Sequence, residues 1–173
     1  MKKIIVLLLI SCFSFSSCEK DDICDGNTLT TPRLVITFYD INNSSTEKSV
    51  TNLSIIANGM EDGITYEGST LINGSTVAIP LKTDLDTTTF RFILNFGSSN
   101  TALVNEDIIE FNYGRENIFV SRACGFKTNF ILNTTDPIVH TDAPTADLKW
   151  IQYYEVENRT IANENETHLK IYF

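Results

Sequence analysis

Apolar and polar residues alternate with a period of two along most of the chain, interrupted by clusters of Asn, Gly, Asp, Ser and Thr. Successive side chains of an extended strand point to opposite faces, so this pattern predicts half-buried β-strands joined by turns. Leu34, Ile36 and Phe38 fall on one face of a first strand, with Val35, Thr37 and Tyr39 on the other. A polar run, 42–49, reads as a loop leading into a second strand over 50–57. Asn58-Gly59 and Asp62-Gly63 mark turns, because both dipeptides accept positive φ. Short strands are expected at 64–67, 70–72 and 76–81, with Asn73-Gly74 turning between the last two.

The clearest strand spans 88–96, where Phe90, Phe92, Leu94 and Phe96 share a face. Burying each such side chain contributes about 1.5–3 kcal/mol, enough for this segment to anchor a core. Ile109, Phe111 and Tyr113 define the next strand, expected to turn at Gly114-Arg115-Glu116-Asn117 into 118–122 as a hairpin. Phe126, Thr128, Phe130 and Leu132 follow; a Pro- and Asp-containing loop, 134–147, precedes strands at 148–157 and 169–173. About nine or ten short strands at 8–12-residue spacing, with no sustained helical period, predict an all-β domain. The expected architecture is a single antiparallel β-sandwich, transthyretin-like or immunoglobulin-like, over residues 31–173, with a lipocalin-like β-barrel as the second choice.

The N-terminus departs from this pattern. Lys2 and Lys3 precede an unbroken apolar run, Ile4 to Ile10. A membrane-spanning helix needs about 20 apolar residues, so the run fits the hydrophobic region of a signal peptide instead. Phe15-Ser16-Ser17-Cys18 resembles a bacterial lipobox, in which the peptide is cut before the cysteine and the thiol is acylated. The resemblance implies a signal peptide at 1–17, lipidation (including palmitate) at Cys18, and an acidic tether at 18–30. A rival match, Leu9-Ile10-Ser11-Cys12, leaves a shorter hydrophobic region and places Phe13 and Phe15 in the tether. Glu19-Lys20-Asp21-Asp22 behind Cys18 resembles the export signal of Bacteroidota-type surface lipoproteins, which implies the outer membrane; as plain chemistry it is a solvated tether.

Charge and cysteine count narrow the partners. Loss of Lys2 and Lys3 takes the net charge from −9 to −11, and such a chain repels phosphate backbones, which excludes nucleic acid as an expected partner. The expected contact with the membrane is through N-terminal acyl chains. With Cys12 removed and Cys18 acylated, Cys24 and Cys124 remain, and two thiols in an oxidising envelope most simply form one disulfide. A redox pair is the weaker reading, since no C-x-x-C occurs.

Candidate chemistry is sparse. There is no G-x-S-x-G, and the two histidines, His140 and His168, show no metal-ligand spacing, so no catalytic residue, metal or cofactor is expected. Asp84 and Asp86, Glu106 and Asp107, and Glu164 and Glu166 are possible carboxylate pairs, all in polar stretches where solvated acids are usual. Trp150 and Tyr154 share one face of an expected strand and are the candidates for stacking on a glycan. Asp86-Thr87-Thr88 resembles a Bacteroidota O-glycosylation motif, which makes Thr87 a candidate acceptor. Arg33, Arg91, Arg115 and Arg122 are candidates for a local positive patch.

Cys18-Glu19-Lys20-Asp21-Asp22-Ile23-Cys24, Thr31-Pro32-Arg33-Leu34, Phe38-Tyr39-Asp40 and Ser121-Arg122-Ala123-Cys124-Gly125-Phe126 together resemble the small lipoproteins grouped as domain of unknown function 6452. The resemblance spans most of residues 18–173 and implies the same two-cysteine arrangement, but no activity. The expectation is a non-enzymatic envelope module that binds an outer-membrane protein, with a glycan-binding module as the alternative and a hydrolase third.

Overall fold

Leu34, Ile36 and Phe38 are fully buried, as their alternation predicts, and the strand that carries them lies at the centre of one sheet. A computed structural model describes residues 23, 24, 26, 28, 30–144 and 148–173. Twelve strands are found there: β1 Leu34–Asp40, β2 Asn43–Glu47, β3 Val50–Ala57, β4 Ile72–Gly74, β5 Thr76–Ile79, β6 Thr87–Leu94, β7 Asn105–Ser121, β8 Gly125–Leu132, β9 Ile138–Asp142, β10 Tyr153–Val156, β11 Thr160–Ile161 and β12 Leu169–Tyr172.

The first sheet runs β10-β12-β1, with β5 and β2 lying end to end along the other edge of β1. All its pairs are antiparallel except β1 with β12. The second sheet runs β11-β8-β7-β6-β3-β4, with β9 beside the first half of β7 and β8 beside the second. Strands β4 and β5 are separated only by Ser75, so one extended segment crosses from the second sheet to the first. The inner faces meet in a single core: Leu34, Ile36, Phe38, Leu169 and Ile171 on one side, Leu53, Ile55, Phe90, Phe92, Ile109 and Phe111 on the other. The two sheets do not close, so the architecture is a β-sandwich and the lipocalin-like barrel is excluded.

Several local expectations give way to long-range pairing. The polar run 42–49 contains β2, an exposed strand that exists because the edge of β1 offers Tyr39 and Asp40 as partners for Glu47 and Asn43. Residues 64–67 form no strand but a bridged turn between Tyr66 and Ser69, where Glu67 and Gly68 both have positive φ. Asn73-Gly74 is not a turn but the end of β4, which carries straight on into β5. The expected strand 88–96 stops at Leu94, because Asn95 adopts φ +55°, and Phe96 is exposed. Gly114-Arg115-Glu116-Asn117 does not turn: β7 continues through it, with Gly114 opposite Ile131 and Asn117 opposite Thr128. The turn comes later, between Ser121 and Gly125, where Gly125 takes φ +71°, a conformation that costs glycine little, and the Cys124 N–H donates to Ser121 Oγ at 3.0 Å. The loop 134–147 includes β9, and of 148–157 only Tyr153–Val156 is strand.

Candidate functional site

The second half of β7 and the first half of β8 continue past the facing sheet as a two-stranded hairpin. On its inner side Tyr113, Phe130 and Leu132 are buried in the core. Two pairs farther out, Phe119 stands opposite Phe126 on the same side, with rings 5.4 Å apart edge to face, and these two are 57% and 69% exposed. The pattern that makes core at one end of the hairpin therefore makes an apolar surface at its tip.

Cys124, in the turn of this hairpin, is disulfide-bonded to Cys24. The N-terminal segment then lies beside β8, where Thr31 Oγ1 accepts the Thr128 N–H at 3.0 Å. A cleft of about 450 Å³ runs between the segment and the hairpin, lined by Cys24, Thr28, Thr31, Val120 and Phe126 among others. Cys18 lies outside the described residues, as does the rest of 1–22.

Trp150 is not a surface ring. It is 8% exposed, packs against Phe38 and Phe173, and donates its indole N–H to the Phe92 carbonyl at 3.1 Å. The adjoining backbone is held by Asp107, a fully buried carboxylate on β7: its Oδ2 accepts the Ile151 N–H at 2.9 Å and lies 3.0 Å from His140 Nε2. Tyr154 is half-buried and donates its hydroxyl to the Ile138 carbonyl at 3.2 Å. The expected stacking face of Trp150 and Tyr154 is thus turned into the sandwich, because Asp107 draws the segment before β10 across the end of the core.

Sequence reasoning missed a different aromatic row. On the outer face of the first sheet, Tyr39, Tyr172 and Tyr153 sit side by side on β1, β12 and β10, with ring centroids 5.5 Å apart at both steps. Tyr153 is 55% exposed, and its neighbours Glu155 and Lys170 are charged. The rings are far apart in sequence; only the pairing of three strands makes the row, so periodicity along any one of them carries no signal for it. A second feature, an apolar cleft of about 440 Å³, opens between Ala57, Met60, Ile64, Leu81 and Phe90 at one end of the sandwich.

The titratable residues serve the fold. His168 is fully buried; its Nδ1 accepts the Val35 N–H at 3.0 Å, and its backbone N–H donates to the Val35 carbonyl. Accepting at Nδ1 requires the neutral ring, and burial holds its pKa below the usual 6.5. Glu164 forms a paired contact with Arg33, whose guanidinium holds the carboxyl below its ordinary range. Glu106 binds Arg91, and Asp86 binds Arg115. Three of the four candidate arginines are therefore paired with separate carboxylates, Arg33 just before β1, Arg91 on β6 and Arg115 on β7, and the positive patch does not form. Thr87 is exposed at the start of β6, accessible to a modifying enzyme. Among the described residues, no three His, Cys, Asp or Glu side chains converge as metal ligands would, and no helix is long and apolar enough to cross a membrane.

The sequence profile of a family described as a family of unknown function (DUF6452) matches residues 52–173. No curated protein and no solved structure matches the chain.

Proposed function

We propose that this chain, which belongs to the family of unknown function DUF6452, is a lipid-anchored, non-enzymatic binding module of the bacterial outer membrane. The observation that carries the reading is the Cys24–Cys124 bond. It fastens the chain to the β7–β8 hairpin six residues after Cys18, so that an acyl anchor on Cys18 would hold the sandwich close to the bilayer in a restricted set of orientations. A module held in this way presents its outer sheet face and loops to neighbours in the same membrane, which favours an outer-membrane β-barrel as partner. Asp107, His140 and His168, the residues best suited to acid–base work, are committed to holding backbone and each other, which supports a binding rather than a catalytic role.

Expression of the full chain in a bacterial host tests both parts. The wild-type protein should carry acyl mass on Cys18 and fractionate with the outer membrane; Cys18→Ala should lose both. A wild-type protein without acyl mass would sink the reading. Mild crosslinking in intact cells should return a specific outer-membrane protein with the wild type, whereas recovery of bulk envelope proteins alone counts against the partner.

One observation favours the glycan alternative in altered form: the stacking ring would be Tyr153, which is 55% exposed and packs on the buried Tyr172, rather than Trp150. A glycan array giving equal signals for wild type and Tyr153→Ala removes it.

A further inference from the structure

We infer that the tip of the β7–β8 hairpin, through Phe119 and Phe126, seats in the boundary between headgroups and acyl chains of the bilayer that holds the anchor. The inference rests on lipidation of Cys18 as proposed above and adds a second, non-covalent contact with the same membrane. Two observations meet at this tip.

The first is reach. A fully extended chain spans at most about 3.6 Å per residue, so the six residue steps from Cys18 to Cys24 keep their Cα atoms within about 22 Å of each other. Because Cys24 is bonded to Cys124, that limit applies to the hairpin turn itself. The second is apolar exposure. Phe119 and Phe126 form an exposed pair beside the turn, and Ile23, the residue before the disulfide, is 83% exposed. Exposed apolar groups gathered at one place mark contact sites, and aromatic rings partition well into the headgroup boundary.

A protein groove would accept the same rings, but the short covalent leash places lipid at the tip whatever protein is nearby, so lipid is the occupant. Seating the tip would stand the sandwich on the end from which the hairpin projects.

The test uses the acylated protein in vesicles of phosphatidylethanolamine and phosphatidylglycerol, with bromine carried near the top of the acyl chains. Phe126→Trp supplies a reporter on an exposed position; Trp150 is the sole native tryptophan, and the wild type provides its background. Phe119→Trp is an independent second reporter, and unchanged thermal melting shows that each variant is folded. The new indole should shift to the blue, lose most of its intensity to the brominated lipid and be severalfold less sensitive to aqueous iodide than in detergent-free protein lacking the acyl chains. An indole on acylated, vesicle-bound protein that stays open to iodide and untouched by bromine overturns the inference while leaving the anchor intact. Shielding seen in native outer-membrane fragments but not in lipid vesicles also overturns it, and assigns the tip to a protein. Absence of acyl mass on Cys18 overturns the anchor and this inference together.

Discussion

Removal of the Cys24–Cys124 bond by Cys124→Ser should lower stability by about 3 kcal/mol. The bond closes a loop with a sequence separation of 100, and in the chain-entropy account a loop of that size restricts the unfolded state by about 4.7 kcal/mol. Part of this is returned when the bond is absent, because the N-terminal segment can then leave the hairpin and regain conformational freedom. The Thr128 N–H of β8 holds the segment through Thr31 Oγ1, and each residue released recovers on the order of 1 kcal/mol. The core residues are all within the body of the sandwich, so the native sheets should survive. For a domain of this size each kcal/mol moves the melting temperature by about 2–4 °C, which puts the expected drop at about 6–12 °C. Thermal unfolding followed by near-ultraviolet circular dichroism of oxidised wild type, Cys124→Ser and Cys24→Ser reads it directly. Both variants should fall equally, because each removes the same link. A drop of less than about 2 °C, or two titratable thiols in oxidised protein, would refute the reasoning. A much larger drop for Cys124→Ser than for Cys24→Ser would show that packing at the turn, not loop closure, carries the effect.

Trp150→Ala should cost about 3–5 kcal/mol in denaturant unfolding, the usual range for emptying a large aromatic site in a core; a near-neutral change would mean that the ring is not packed as described. Asp107→Ala strands the Ile151 N–H and the His140 ring and should cost about 3 kcal/mol, since removing one partner of a buried hydrogen-bonded pair leaves the other unsatisfied; a wild-type melting curve would count against it. His168 is neutral in the fold with its pKa below 6.5, whereas the unfolded chain binds a proton near 6.5. Its contribution is therefore fully present above the unfolded value and is lost as pH falls from there toward the folded pKa. Stability should decline as pH falls through 6.5 and below, and His168→Gln should flatten that slope; a slope unchanged by the substitution would remove His168 as its source.

Much of the sandwich is legible in single segments. Leu34, Ile36 and Phe38, or Phe90 and Phe92, announce both a strand and its buried face, because side-chain alternation is a local property of extended backbone. The disulfide was legible by counting cysteines once Cys18 is set aside. The candidate site was less so. Gly114 to Asn117 has the composition of a turn, yet it is extended because β8 supplies a partner for every step of the ladder. Trp150 sits in a stretch with surface-like neighbours and is buried because Asp107, more than 40 positions away, draws in the next residue's N–H. The tyrosine row needs three strands from distant parts of the chain before it exists at all. Phe119 and Phe126 obey the same alternation as Tyr113 and Phe130, and read from sequence alone all four belong to a core. What decides between them is where the opposite sheet ends. Alternation determines which side of a strand is apolar; only the tertiary structure determines whether anything lies across from it, since burial is a property of two surfaces and a sequence pattern describes one.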